Sequence, residues 1–269
     1  LRRLAARGER ITVAAVPWVA PVYRAMPQVA EVLVLPFARG GVQWTARRAY
    51  AAGLRGRFNR AYVCPNSLKS ALIPFWAGIP VRVGYSGELR FGLLNRRLPN
   101  PPQNSRPPMV AFYSALSGET GVDHDRPALQ VAPGAIAAVL APRGLQAQGF
   151  YVVAPGAEYG PAKRWPAAHF AAMAAGLAQP VLLLGSAKDD AVCTEIAEAV
   201  NALRPGHCVN LAGRTSLDEA VALIAGAHAM VSNDSGLMHV AAAFGVPQVA
   251  IFGSSSPLHT PPLNPAATV

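Results

Sequence analysis

The sequence predicts an α/β fold of two domains, each built around a parallel β-sheet. Short apolar runs alternate with helical stretches throughout the second half of the chain, and the first half repeats this pattern less regularly. Charge changes between the halves: residues 1–126 have 18 Lys and Arg against 6 Asp and Glu, whereas residues 127–269 have 6 against 8. We therefore predict domains at 1–126 and 127–269, with Gly118–Pro133 as the linker.

The second domain has the clearer alternation. Its apolar runs predict five strands, at Tyr151–Ala154, Val181–Leu184, His207–Leu211, His228–Ser232 and Gln248–Phe252. Helical stretches start near Pro166, Lys188, Ser216 and Ser235. Continuous apolar runs are typical of parallel strands that are buried on both faces. Two such modules in tandem predict two Rossmann-like domains facing each other across a cleft, with ligands at the carboxyl ends of the strands.

The first domain shows the same alternation with weaker boundaries. Strands are predicted at Ile11–Val16, Val32–Leu35, Ala61–Cys64 and Val81–Gly84, and helices near Trp18, Val42 and Asn66. Asn95–Pro108 is rich in Pro, Asn and Arg and is predicted to be a loop.

Both ends are expected to be incomplete. Leu1–Gly8 is predicted to be the tail of a helix, and Ala266–Val269 the start of a strand. A doubly wound domain should begin with a strand and a glycine-bearing loop before that helix.

Composition excludes several classes of protein. No apolar stretch of about 18 residues lacks a charge, Pro or Gly, so no transmembrane helix is predicted, and the first residues lack a secretory signal. Cys64, Cys193 and Cys208 are odd in number and far apart, which fits a reducing cytosol. The basic half favours an anionic partner: nucleic acid, a membrane surface or a phosphorylated substrate. An Arg-rich solubilising surface is the alternative.

The motif S-N-D-S-G-L-M-H at residues 232–239 follows a predicted strand and opens an Ala-rich helix. Asp234 and Ser235 are good N-cap residues, and the step from Ser235 to Gly236 lets a ligand approach the backbone. Free N–H groups and the helix dipole then provide a phosphate site. His239 lies one helical turn past Ser235, so its side chain would point toward the same ligand. An ordinary helix cap without a ligand is the alternative.

Two further loops follow strands in the same domain. Residues 154–166, A-P-G-A-E-Y-G-P-A-K-R-W-P, place Lys163 where a point charge can neutralise a diphosphate. Residues 184–190, L-G-S-A-K-D-D, place Asp189 where a carboxylate can bind a ribose diol. A solvent-facing lysine and an acid that offsets a helix dipole are the respective alternatives.

In the basic half, residues 65–71, P-N-S-L-K-S-A, start a helix after a strand, and Lys69 could meet an anionic acceptor or lie on the helix surface. The chain has no G-x-G-x-x-G, no G-x-x-x-x-G-K-[ST], no D-x-D pair and no G-x-S-x-G. Hydride transfer, nucleotide hydrolysis, metal-dependent sugar transfer and serine hydrolysis therefore lack their usual motifs.

Taken in order, these motifs resemble the ADP-heptose–using lipopolysaccharide heptosyltransferases, and their heptosyltransferase II branch in particular. The resemblance lies in P-G-A-E-Y-G-P-A-K-R-W-P, N-D-S-G-L-M-H-V-A-A-A, F-G-S-S-S-P-L-H-T-P-P-L and P-N-S-L-K-S-A-L-I-P-F-W-A-G-I-P-V-R-V-G-Y. It spans nearly the whole chain. It implies a GT-B fold and inverting, metal-independent transfer of L-glycero-D-manno-heptose to the heptosylated Kdo-lipid A core.

The resemblance also implies a role for each site residue. Lys163 would bind the donor phosphates, together with the backbone N–H groups of Ser235 and Gly236, and His239 would support that site. Asp234 would contact the heptose. Asp189 would lie near the ribose, Thr215 near the adenine, and Lys69 would face the acceptor.

The family implies no cofactor and no metal. Its partners would be ADP-heptose, an anionic core acceptor and the membrane surface, with the protein cytoplasmic and peripheral to the inner face of the cytoplasmic membrane. The family's general base is an Asp on the glycine-bearing loop after the first strand, and no residue here matches it. We therefore expect this chain to bind ADP weakly and to transfer heptose very poorly.

Three other functions remain open from the sequence. Another nucleotide-sugar enzyme of the GT-B type would prefer UDP to ADP. A basic nucleic-acid-binding protein would show steep salt dependence, although no recognition motif supports it. A non-catalytic nucleotide-binding fragment is the third.

Overall fold

The computed structural model describes residues 1–37, 40–118, 126–157 and 161–269, which divide into two compact units. Unit 1 comprises Leu1–Val34 and Asp125–Val269, and unit 2 comprises Leu35–His124. Among the described residues, none of the helices combines the length and the hydrophobicity needed to cross a bilayer. The elements in chain order are α1 (Arg2–Ala6), β1 (Ile11–Ala15), α2 (Ala20–Arg24), β2 (Val29–Val34), α3 (Trp44–Ala52), β3 (Arg60–Val63), α4 (Leu68–Trp76), β4 (Val81–Tyr85), β5 (Arg96–Leu98), α5 (Met109–Ser114), α6 (Pro133–Leu140), β6 (Tyr151–Ala154), α7 (Ala167–Gly176), β7 (Val181–Leu183), α8 (Asp190–Leu203), β8 (Cys208–Asn210), α9 (Leu217–Gly226), β9 (Ala229–Asn233), α10 (Gly236–Phe244), β10 (Gln248–Ile251) and β11 (Ala267–Thr268).

The main sheet of unit 1 has six parallel strands in the order β11-β10-β9-β6-β7-β8. Helices cover both faces of this sheet. Alternate residues of a strand point to opposite sides, so each strand contributes to two cores. Val152, Leu182 and Met230 belong to one core, with residues of α9 and α10. Val153 and Leu183 belong to the other, with residues of α7 and α8. Burial on both faces explains why the predicted strands are continuous apolar runs.

The first 34 residues belong to unit 1. Strands β1 and β2 form a separate two-stranded parallel sheet. Val22, Ala25 and Met26 pack against the core that holds α9 and α10, and the Gln130 N–H donates to the Ala25 carbonyl at 2.7 Å. The packing units thus differ in extent from the predicted Rossmann-like domains 1–126 and 127–269, which stay a prediction.

The linker prediction, Gly118–Pro133, falls partly outside the described residues, at 119–125. Residues 126–133 belong to unit 1. Leu129 is 6% exposed and its N–H donates to the Ala243 carbonyl, 3.0 Å away. Helix α6 then begins at Pro133, where proline at the first position of a helix costs no hydrogen bond.

Unit 2 contains a three-stranded parallel sheet in the order β3-β4-β5. The prediction of a loop over Asn95–Pro108 is wrong at Arg96–Leu98, which forms β5 and pairs with β4. The strand escapes detection because it is short, polar and at a sheet edge, where backbone pairing needs no apolar pattern. Arg90 is 1% exposed and stabilises this unit from inside, donating to the Pro65 and Tyr85 carbonyls.

Candidate functional site

The candidate site lies where the strand order of the main sheet reverses. From β6 the chain continues to β7 and β8 on one side, then returns to β9, β10 and β11 on the other. Strands β6 and β9 are parallel neighbours, with Ala154 opposite Ser232 at their carboxyl ends. The loops that follow them therefore leave in opposite directions and open a crevice, which is where ligands bind in open α/β sheets.

Lys163 and Asp234 meet in this crevice. Lys163 lies in the loop after β6 and Asp234 directly follows β9, 71 positions apart in the sequence. The Lys163 Nζ donates to Asp234 Oδ2 at 2.8 Å, and the two side chains are 21% and 9% exposed. The sequence motifs thus predicted two residues that the fold brings into contact.

Asp234 is held as a carboxylate. Burial by itself raises the pKa of Asp234, but the hydrogen bond from Lys163 and the positive charges nearby outweigh it, so the pKa lies below its ordinary value. The Ser255 hydroxyl also lowers this pKa, although its geometry falls short of a regular hydrogen bond. Asp234 and Lys163 therefore place a negative charge beside a positive charge in the crevice.

The amino end of α10 opens beside this pair. Ser235 is the N-cap residue in extended conformation, and its side chain makes no cap hydrogen bond. The buried Ser235 Oγ has no hydrogen-bond partner within the described protein. Gly236 begins the helix, and a Cβ placed there would meet nothing within 4 Å. The accessible backbone N–H groups at the N-terminus of this nine-residue helix can bind an anion.

His239 lies on the same turn of α10 and is exposed to solvent by area. It is nevertheless crowded by protein atoms, and this desolvation lowers the pKa of His239 while the charge of Asp234 opposes the change. A histidine in these surroundings is mainly neutral near pH 7, and additional negative charge nearby would raise its pKa.

Asp189 has a structural role. Its Oδ2 accepts hydrogen bonds from the Ser186 N–H at 2.9 Å and the Ser186 hydroxyl at 2.8 Å, which completes a capping box at the 3₁₀ helix Ala187–Asp189 that leads into α8. Its Oδ1 lies 3.8 Å from the Arg164 guanidinium. A Cβ placed on Gly156 would be 2.5 Å from this carboxylate, so the loops after β6 and β7 are in close contact here.

Thr215 lies on another loop of unit 1, and Lys69 belongs to unit 2. Thr215 is half-buried in the loop between β8 and α9, whose Gly213 N–H donates to the Gly185 carbonyl at 3.0 Å. Lys69 belongs to unit 2, where its Nζ donates to the Gly40 carbonyl at 3.0 Å. The structure thus groups Lys163 and Asp234 with the first turn of α10, places Asp189 and Thr215 on adjoining loops, and leaves Lys69 in the other unit.

Two residues of the site were missed by sequence reasoning. Asn233 is fully buried and bonds to the backbone of the loop that contains Lys163. Gly253 has no room for a side chain, because a Cβ there would be 2.6 Å from the Ala162 carbonyl. Asn233 stands inside the N-D-S-G motif, but no short-range pattern shows which backbone groups its amide meets. Gly253 follows β10, and its role depends on a loop 90 positions earlier.

Comparison with known proteins identifies the family. The model of glycosyltransferase family 9 (heptosyltransferase) matches residues 47–269. Lipopolysaccharide heptosyltransferase 2 of Escherichia coli K12 is 45% identical over 278 residues, which cover 96% of this chain and 78% of the relative. Lipooligosaccharide heptosyltransferase 2 of Haemophilus influenzae is 42% identical over 277 residues, covering 96% and 79%.

Solved structures agree. The structure of E. coli ADP-heptose lps heptosyltransferase II matches with a TM-score of 0.89 at 43% identity, covering 100% of this chain and 83% of that one. E. coli heptosyltransferase WaaC with ADP matches with a TM-score of 0.70 at 18% identity, covering 99% and 85%, which supports the fold alone. The predicted α/β fold of the GT-B type and the predicted resemblance are both confirmed. The chain belongs to glycosyltransferase family 9, the heptosyltransferase family.

Proposed function

We propose that this protein is built for the transfer of L-glycero-D-manno-heptose from ADP-heptose to the heptosylated Kdo-lipid A core of lipopolysaccharide, with inversion and without a metal; the expectation that this chain alone transfers heptose very poorly stays a prediction. Family membership and the names of relatives at 42–45% identity support the reaction. One observation of this chain carries the proposal: the Lys163–Asp234 pair at the switch point, beside the open amino end of α10. The other nucleotide-sugar enzymes considered above are not favoured.

In this proposal the donor diphosphate lies between Lys163 and the first turn of α10. Lys163 gives a point charge, and the N–H groups of Ser235 and Gly236 give hydrogen bonds. The unpartnered Ser235 hydroxyl can donate to a phosphate oxygen. As the bond to the heptose breaks, negative charge grows on the leaving ADP, and these fixed donors stabilise it.

Asp234 changes partners when the donor binds. Without ligand it accepts from Lys163, but a diphosphate competes for the same ammonium. The carboxylate then accepts from heptose hydroxyls, which replace the lost hydrogen bond and fix the sugar's orientation. His239 lies close enough to feel this charge and supports the phosphate side of the site as a donor.

Asp189 and Thr215 are proposed to hold the nucleoside. The Oδ2 atom of Asp189 already accepts from Ser186, so the ribose hydroxyls would use Oδ1, which faces Arg164 at 3.8 Å. Thr215 stands one loop further along the carboxyl edge, where an adenine would follow a ribose. Both residues belong to unit 1.

Unit 2 is proposed to meet the acceptor and the inner face of the cytoplasmic membrane. Residues 35–124 hold 12 Lys and Arg against 3 Asp and Glu, which gives +9 of the chain's +10. Lys69 is the residue proposed to contact the anionic core. Leu89 and Phe91 are 81% and 68% exposed, and the Arg97 guanidinium lies 4.8 Å from the Phe91 ring. Cationic and apolar side chains together favour adsorption to an anionic bilayer.

Calorimetric titration tests the donor site. We expect ADP to bind in preference to UDP, and we expect Lys163→Met to weaken ADP binding by at least tenfold. Lys188→Met is the matched control, since Lys188 is an exposed lysine of the same unit with no part in the pair. Equal loss in both variants would indicate a general charge effect, and preference for UDP in the folded protein would refute the donor assignment.

Vesicle sedimentation tests the membrane contact. We expect binding to vesicles that contain anionic phospholipid, weaker binding to neutral ones, and release as salt rises from 0.05 to 0.5 M, because screening removes the attraction of exposed charges. Leu89→Ser with Phe91→Ser should lower binding and leave ADP affinity in unit 1 unchanged. Equal binding to neutral and anionic vesicles would contradict the proposal.

A further inference from the structure

Asn233 makes two hydrogen bonds that reach far along the chain. It is the last residue of β9 and is fully buried. Its Nδ2 donates to the Pro155 carbonyl at 2.6 Å, and its Oδ1 accepts from the Trp165 N–H at 3.0 Å. A carboxamide has a donor and an acceptor on opposite sides, and here both are used on backbone groups.

These two backbone groups are the two ends of the loop that contains Lys163. Pro155 directly follows β6, and Trp165 lies two residues past Lys163, just before α7. One side chain therefore fixes the start and the end of the loop to the end of the neighbouring strand. Gly253 supports the same loop, because its Cα hydrogen faces the Ala162 carbonyl where no side chain would fit.

Asn233 and Asp234 are consecutive in the sequence, and both bond to the loop that contains Lys163. Asn233 holds the loop backbone, and Asp234 receives the Lys163 ammonium at 2.8 Å. A lysine side chain has four rotatable bonds, so its position depends on how firmly its backbone is fixed. Ordering a loop at the moment of binding costs affinity, whereas a loop ordered in advance does not.

We propose that Asn233 is a positioning residue of the donor site, which holds both ends of the β6–α7 loop so that Lys163 faces the diphosphate. The inference deepens the proposed function and rests on it for the identity of the ligand. Asn233 is not itself a ligand, since both its amide nitrogen and its amide oxygen bond to backbone groups and the residue is fully buried. Its effect on binding passes through the loop.

The chain offers a matched control. Asn264 is also buried, at 9% exposure, and also bonds to two backbone groups. It donates to the Val246 carbonyl at 2.7 Å and accepts from the Ala266 N–H at 3.0 Å. Those groups precede β10 and β11, at the amino edge of the sheet and away from the crevice. Asn264→Ala removes a similar pair of hydrogen bonds and has no reason to move Lys163.

The experiment measures ADP affinity by calorimetry, and hydrogen exchange of the Trp165 amide without ADP, in the wild type, Asn233→Ala, Asn233→Asp and Asn264→Ala. We expect Asn233→Ala to lose about tenfold or more in ADP affinity, because the loop that contains Lys163 must then be ordered at the moment of binding. Its Trp165 amide should exchange faster. Asn264→Ala should keep ADP affinity within about twofold, by the reasoning that distant sites are independent.

Asn233→Asp separates the two hydrogen bonds. A carboxylate still accepts from the Trp165 N–H but cannot donate to the Pro155 carbonyl, so the Trp165 amide should stay protected while ADP affinity falls. This variant also decides the question if Asn233→Ala does not fold. Unchanged ADP affinity and unchanged Trp165 exchange in folded Asn233 variants would overturn the proposal. Failure of the wild type to bind ADP would instead refute the donor assignment, and the exchange data would still report on the loop.

Discussion

The contact between Gly156 and Asp189 gives the sharpest test of the carboxyl edge. A Cβ at position 156 would lie 2.5 Å from both Cγ and Oδ1 of Asp189, whereas ordinary van der Waals contact begins at 3.4 Å. In Gly156→Ala the carboxylate must therefore move by about 0.9 Å. Movement of that size disrupts the hydrogen bonds at 2.8 and 2.9 Å that Asp189 accepts from Ser186.

The expected cost follows from these two effects. Loss of a helix-capping interaction costs about 1 kcal/mol. Forcing a methyl group into a packed contact costs about 1–3 kcal/mol, and the short Asp189 side chain has little freedom to yield. We expect Gly156→Ala to destabilise the protein by about 2–3 kcal/mol, which lowers the melting temperature by roughly 5–10 °C for a unit of this size.

Thermal and urea unfolding measure the effect, and a double-mutant cycle assigns its cause. Gly176→Ala is the matched control, because a Cβ there meets nothing within 4 Å and Ala is favoured over Gly in helix α7. Asp189→Ala should cost about 1 kcal/mol alone and should relieve the clash, so the double variant should be more stable than additivity predicts by about 2–3 kcal/mol. Additive effects within about 0.3 kcal/mol would refute the contact.

Three further predictions concern charge. The backbone N–H of Ser216, followed by the Arg143 guanidinium and the Ser216 hydroxyl, lowers the pKa of Glu219 to about 2. Because the pKa of Glu219 is lower in the folded protein, its ionisation stabilises the fold above the pKa of the unfolded chain, near 4.5, and this stabilisation is lost as the pH falls toward 2. The difference in urea stability between the wild type and Glu219→Gln should therefore shrink over that range. A constant difference down to pH 2 would contradict this. Lys163→Met removes the main interaction that opposes burial at Asp234, so the pKa of Asp234 should rise, which carboxyl-carbon NMR titration can follow; an unchanged or lower value would count against the pair. Arg90→Met leaves buried carbonyl groups without donors and should cost about 3 kcal/mol, detected as faster hydrogen exchange in β4; unchanged exchange would argue against that role.

The sequence predicts the main sheet well because its strands are buried on both faces. The runs at Tyr151–Ala154 and Val181–Leu183 are short, apolar and bounded by Pro or Gly, which are local patterns. The same holds for the N-D-S-G motif after β9, whose position at a strand end predicted a ligand site. β5 was missed because its Arg-Arg-Leu sequence has no apolar pattern, and its pairing with β4 is decided by tertiary contacts.

The partners of individual side chains are harder to predict, because they depend on strand order. Lys163 and Asp234 were both predicted from loops, but their contact at 2.8 Å follows from β6 and β9 being neighbours. Asp189 shows a second contact that the sequence did not predict. A carboxylate after a strand predicted a ribose contact, and the structure shows that one of its oxygens caps a helix. Asp189 can cap the helix and bind a ribose at the same time only if the ribose hydroxyls bond to its Oδ1 atom.

The Lys163–Asp234 pair has little reason to be there for stability alone. Bringing two charges to 21% and 9% exposure costs desolvation free energy that a single hydrogen bond barely offsets, and apolar residues of similar size would often serve the fold as well. Removal of either partner leaves the other charge uncompensated, so the pair is costly to break in the free protein. In the proposed function, a diphosphate would replace Asp234 at the lysine, and a polyhydroxylated sugar would replace Lys163 at the carboxylate. On that proposal, the pair keeps two oppositely charged groups in place for a ligand that has an anionic part next to a hydroxyl-rich part.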